Sequence, residues 1–169
     1  HLYYIYPPFI LFAAYFLWHY SKTKYRTIIM SVAGFGILSI SIFIASNFPF
    51  HHVYFNQFVS LHSGEYIRKN YEMDFWAVSY NKSLEYILEK DKRSEIKIFS
   101  DYNLAGANVL MLVEDQKKHF AFVDSLHKAD YFVSNYRGHP QDFPERSLRE
   151  YHSFIVQGNK INTIFKVIK

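Results

Sequence analysis

The sequence predicts a hairpin of two membrane-spanning helices followed by a small α/β (α+β) domain on the far side of the membrane. Three observations predict it. No Lys, Arg, Asp or Glu occurs from His1 to Ser21, and none occurs from Thr27 to Gly64. All 15 acidic residues lie at Glu65 or later. From Asp74 onward, helical spacing alternates with short apolar runs of strand type. A soluble domain of 169 residues does not segregate its charge in this way.

The first span, about 2–20, is free of formal charge, and the second, about 27–47, is equally so. At 1.5 Å per residue the two cover roughly 28 and 31 Å, close to the hydrocarbon thickness of about 30 Å. Tyr3, Tyr4, Tyr6, Tyr15, Trp18, Tyr20 and Tyr25 gather toward the ends of the first span, as interfacial anchors do. Pro7 and Pro8 start or kink that helix. Ser31, Gly34, Gly36, Ser39 and Ser41 mark the second span for close helix–helix approach, so it belongs in a bundle with further helices upstream.

The link 21–26 carries Lys22, Lys24 and Arg26 and no acid. The positive-inside rule makes it cytoplasmic, which puts the start of the first span and everything after Asn47 on the extracytoplasmic side. The alternative, a soluble protein with two buried helices, conflicts with the absence of charge on any side of either segment. The chain opens on His rather than Met, with no basic n-region and no small-residue cleavage site. It is therefore expected to be a piece of a longer protein, or a processed one.

Residues 51–73 form an interfacial connector rich in aromatics and His. His51, His52 and His62 match no metal spacing, and no metal ligand set is identified. Asp74 is a helix N-cap candidate. Trp76, Tyr80, Leu84, Ile87 and Leu88 then give one apolar face through about Lys90. Glu95–Ser100 is a strand with Asp101 at its end, Leu104–Val113 a helix, Ala129–Asn135 a strand, and 138–149 a loop. Tyr151–Gln157 and Lys160–Ile168 form a hairpin turning at Gly158-Asn159. The domain assignment is thus 1–50, 51–73 and 74–169.

Composition excludes several functions. The absence of cysteine removes disulfides and thiolate metal sites. Beyond the link, basic and acidic residues nearly balance, with no aromatic–basic interleave, so nucleic acid is not a partner. No GxSxG, P-loop, GxGxxG or HExxH occurs. Asp101 at a strand end is either a functional group or a loop cap. Asn81-Lys82-Ser83 fits the N-glycosylation pattern but lies inside the predicted helix.

Two stretches carry a resemblance. The first is His1-Leu2-Tyr3-Tyr4-Ile5-Tyr6-Pro7-Pro8, opening the first span. The second comprises His51-His52-Val53-Tyr54-Phe55-Asn56 and Tyr71-Glu72-Met73-Asp74-Phe75-Trp76-Ala77. Together they resemble the C-terminal part of bacterial GT-C class glycosyltransferases, the protein-mannosyltransferase-like and aminoarabinose-transferase-like family. The likeness spans about half the chain. It departs at His52, Phe75 and Ala77, where Pro, Tyr and Gly are usual.

The resemblance implies an integral membrane protein of the bacterial inner (plasma) membrane. It would transfer a sugar, with inversion, from a polyprenyl-phosphate donor to a glycan, lipid or protein acceptor at the outer face. The donor is a substrate, and no cofactor is identifiable. The catalytic carboxylate is expected upstream of residue 1, so no catalytic residue is assigned in this chain, and membrane lipids and the upstream helices are its partners. Seven residues are candidates for proximity to donor or acceptor. His1 and Tyr4 would lie near the donor phosphate. His51, Tyr54 and Asn56 follow the second membrane exit, and Asp74 and Trp76 open the outer domain. Each has a plain structural alternative in interfacial anchoring, capping or core packing. The competing reading is a non-enzymatic, membrane-anchored extracytoplasmic binding or structural domain.

Overall fold

The structure, a computed structural model, describes residues 6–101, 106, 109, 112–144 and 146–169. The chain divides into two compact units, His1–Phe48 and Pro49–Lys169.

The first unit holds α1 (Tyr6–Tyr20) and α2 (Arg26–Ser46). Neither helix has a single buried residue. α2, at 21 residues, is about 31 Å long and apolar enough to cross a membrane, and is the one helix among the described residues that meets both conditions. Its hydroxyls are absorbed internally. Ser39, Ser41 and Ser46 donate to the carbonyls of Gly36, Ile37 and Ile42 at 2.7 to 3.0 Å, leaving few polar hydrogens on an apolar surface. At the end of α1, the Lys22 ammonium sits 3.8 Å from the Trp18 ring centroid.

The second unit is α+β. Residues 51–73, expected as a plain connector, contain two short helices, α3 (Gln57–Ser60) and α4 (Gly64–Asn70). Asn56 and Ser63 cap them, accepting from Val59 N–H at 3.1 Å and Tyr66 N–H at 3.3 Å. Next come α5 (Val78–Lys90), β1 (Ile96–Ser100), α6 (Glu114–Lys117), β2 (Phe120–Phe122), a 3-10 turn (Leu126–Lys128), β3 (Tyr131–Ser134), β4 (Leu148–Val156) and β5 (Asn159–Val167). The expected helix at 104–113 falls mostly outside the described residues. Gly106 and Val109 are helical there, whereas Leu112 and Val113 are not.

The five strands form one mixed sheet in the order β2-β1-β3-β5-β4. β1 is parallel to both neighbours, and β5 is antiparallel to β3 and β4. Tyr80, Leu84 and Ile87 of α5 are fully buried and form one core with Ile96 and Ile98 of β1, Val133 of β3 and Ile164 of β5. The other face is covered by aromatics. Phe132 stacks on Phe99 and Phe165 at 5.6 Å each and meets Phe143 edge-on at 4.9 Å. All four residues of β3 are therefore buried, as a strand covered on both faces requires.

The hairpin turn lies one residue earlier than expected, at Gln157-Gly158 rather than Gly158-Asn159. Gln157 and Gly158 have φ of 49° and 77°, the left-handed pair that a tight two-residue turn demands. Val156 then faces Asn159 across the turn. The Gln157 side chain explains why a non-glycine tolerates the position. Its Oε1 accepts from Phe55 N–H at 3.0 Å and its Nε2 donates to Phe55 O at 2.9 Å. The turn is clasped to the segment before α3.

Candidate functional site

A concavity of the second unit lies beside the turn that follows β3. It is a cavity of about 190 Å³ whose wall includes Arg68 of α4, Glu72 and Phe75 from the segment before α5, and Asn135, Tyr136 and Arg137. Carboxyl ends of parallel strands are where open α/β sheets place ligand-binding groups, and β1 and β3 end together here.

Asp101 holds that end in shape. Its carboxylate accepts from the Tyr80 hydroxyl at 2.9 Å and from the Ser134 hydroxyl. Ser134 Oγ in turn accepts from Tyr136 N–H at 3.0 Å. Burial pushes the Asp101 carboxyl above the usual carboxylate range, with the Ser134 and Tyr80 bonds pulling the other way. Burial and the nearby Asp101 charge push the Tyr80 phenol up. Asp101 thus braces the turn at the cavity through Ser134 and Tyr80, as a loop-capping group.

The turn itself is strained. Tyr136 adopts a φ of 61°, unusual for a bulky side chain. Three contacts hold it: a 2.6 Å bond between its hydroxyl and Thr163 Oγ1, the Arg68 guanidinium 4.4 Å from its ring centroid, and the bond to Ser134. Asn135 is 5% exposed. Its Oδ1 accepts from Arg137 N–H at 3.2 Å, while its Nδ2 has no hydrogen-bond partner among the described residues.

At the cavity mouth, Arg137 pairs with Glu72 at 3.0 Å and lies 5.1 Å from the Phe75 ring centroid. Phe75 meets Trp76 edge-on at 5.0 Å, and Trp76 is 72% exposed. A carboxylate, a guanidinium and two aromatic rings therefore run in sequence along one lip.

Five of the seven expected site residues fall among the described ones. His1 and Tyr4 lie outside the described residues. Asn56 caps α3. Asp74 also lines the cavity, but its oxygens are occupied. They accept from Val78 N–H at 3.0 Å, from Ser79 N–H at 3.1 Å and from the Ser79 hydroxyl, with His52 Nε2 at 3.2 Å. The capping proposed for Asp74 reaches the first turn of α5 from outside it. The residue directly before α5 is Ala77, at φ 56°. Asn162 extends this buried network, donating to Ser79 Oγ at 3.0 Å and accepting from the Ser83 hydroxyl at 2.8 Å. His51 is exposed and Tyr54 is 44% exposed. Of the seven residues, Asp74 lines the cavity and Trp76 adjoins it through Phe75.

Arg68, Asn135, Tyr136 and Arg137 were not singled out from sequence. The available signal was a polar Asn-Tyr-Arg-Gly run directly after a strand. No group of His, Asp and Glu able to hold a metal occurs among the described residues. No family model matches the chain, and no curated protein or solved structure matches it.

Proposed function

We propose that this chain is the C-terminal part of an integral-membrane glycosyltransferase that uses a polyprenyl-phosphate sugar donor. In this reading α1 and α2 form a transmembrane hairpin with a cytoplasmic link, and the second unit stands at the outer membrane face. Its cavity lip meets a sugar of the acceptor or donor. The observation that carries the reading is the placement of Tyr71–Trp76, part of the second stretch that resembles the GT-C family. It supplies one cavity wall and ends in an exposed Trp76 beside Phe75 and the Glu72–Arg137 pair. An exposed indole face suits the apolar side of a sugar ring, and a carboxylate–guanidinium pair suits its hydroxyls.

No base and nucleophile face each other in this cavity, because Asp74 is committed to α5 and Glu72 to Arg137. The unit therefore contributes binding and positioning, and the reacting carboxylate belongs to helices and loops upstream. The test is sugar transfer from polyprenyl-phosphate donors by the full-length gene product. Trp76→Ala is expected to reduce transfer by roughly five- to tenfold, since an aromatic contact contributes about 1 kcal/mol. Trp18→Ala should leave transfer near the wild-type rate. Equal activity of both variants would remove the role given to the lip, and absence of transfer to any acceptor would remove the enzyme.

A further inference from the structure

We propose that α3 and its C-terminal flank lie in the lipid headgroup layer, with Phe58 and Leu61 inserted into the membrane that α2 crosses. This goes beyond the glycosyltransferase reading but rests on its membrane placement. Phe58 and Leu61 are each 83% exposed, the highest values among the large hydrophobic residues described. Their three-residue offset sets them on one side of a single helical turn.

The pair is presented rigidly. Asn56 caps the turn before it, Ser63 caps α4 after it, and Gln157 grips the Phe55 backbone at both its N–H and its C=O. Two exposed apolar side chains fixed on a braced segment call for a covering surface.

The chain indicates which surface. The uncharged run that begins at Thr27, the second residue of α2, does not stop where α2 ends, at Ser46, but continues to Gly64, past Phe58 and Leu61. A rim against protein partners or water is normally charged or strongly polar. This stretch instead has no Lys, Arg, Asp or Glu and sets Tyr54 among Phe and Leu, residue types of a membrane–water boundary. The tether is also short. At no more than about 3.6 Å per residue, the segment from Ser46 to Phe58 spans less than roughly 45 Å, so the pair stays near whatever surface α2 leaves.

The absence of cysteine makes the test direct. Four single-cysteine variants of the full chain, Phe58→Cys, Leu61→Cys, Ile37→Cys and Lys118→Cys, would carry an environment-sensitive nitrobenzoxadiazole label. Each would be reconstituted into phosphatidylcholine–phosphatidylglycerol vesicles containing lipid with a nitroxide near the top of the acyl chain or, for the label at 37 near the middle of α2, near the end of that chain. All four side chains are exposed, so folding is not at stake. Labels at 58 and 61 are expected to be quenched at least about twofold more than the label at 118, with the α2 label at 37 also quenched. Quenching at 58 and 61 no greater than at 118, with 37 quenched, overturns the insertion while leaving α2 in the membrane. Blue-shifted emission at 58 and 61 without lipid quenching also overturns it, in favour of a protein cover. An unquenched label at 37 overturns the membrane placement of α2, and the insertion with it.

Discussion

Ala77 shows opposing terms meeting at one residue. Its φ of 56° and ψ of 30° lie in the left-handed region, where a Cβ costs roughly 1–2 kcal/mol. Its methyl is buried, with 1% of the residue exposed, and contributes about 0.8 kcal/mol. Glycine would also have more unfolded-state freedom to lose, about 0.4–1 kcal/mol. Ala77→Gly is therefore expected to change stability by less than about 1 kcal/mol in urea unfolding. Ala77→Val, a branched residue at positive φ, should cost clearly more. Asp101 belongs to the same scale. Its folded pKa lies above the unfolded value, so its contribution is complete below about pH 4 and is lost as pH rises through the folded value. Asp91 has the opposite sign. Arg93 holds it down to about 2, so its contribution exists above the unfolded value and disappears as pH falls toward 2. In thermal unfolding scans, Asp101→Asn should flatten the stability change above pH 4, and Asp91→Asn the change below it. Asp101 at a strand end was readable from the sequence. Its link to Ser134 was not, because that hydroxyl comes from a strand 33 residues away.

At the scale of elements, legibility followed the range of the stabilising contacts. α5 was visible because Tyr80, Leu84 and Ile87 repeat at helical spacing and all face the core. β1, β3 and the hairpin were visible as short apolar runs. β2 was missed because Phe120–Phe122 is three residues of edge strand, defined only by its pairing with Ile96–Ile98. α3 and α4 were missed because each is a turn or two held by one cap and by distant partners. The hairpin turn was misplaced by one residue because Gly-Asn is the better local signal, whereas the Gln157 clasp on Phe55 is a contact across 102 residues. Gln157→Gly relieves the turn yet removes both clasping bonds. A net loss of about 1–2 kcal/mol is expected, together with faster hydrogen exchange around Phe55. Leu84→Ala, at the centre of the α5 face, should cost about 2–5 kcal/mol.

For the whole molecule, the charge partition was the strongest sequence signal and remains so. The uncharged run covers most of a unit of helices without buried residues and continues to Gly64, inside the unit with a formed core. The 20% aromatic content suits both membrane interfaces and packed cores, and Phe99, Phe132, Phe143 and Phe165 pack against one face of the sheet. The cavity lip was half legible. Tyr71–Trp76 drew attention as sequence, but the opposing Asn135–Arg137 turn arrives from β3, and only folding brings the two together.

The outer edge of the sheet has a consequence for neighbouring copies. β4 is nine residues long and borders no further strand among the described residues, which would normally invite another chain to add on. Its ladder with β5 is interrupted between Glu150 and His152 and again between Phe154 and Ile155, and Arg149 and Glu150 are exposed along it. An incoming strand would lose register at both irregularities and meet charge besides. Edge-to-edge pairing of two copies through β4 is thereby disfavoured.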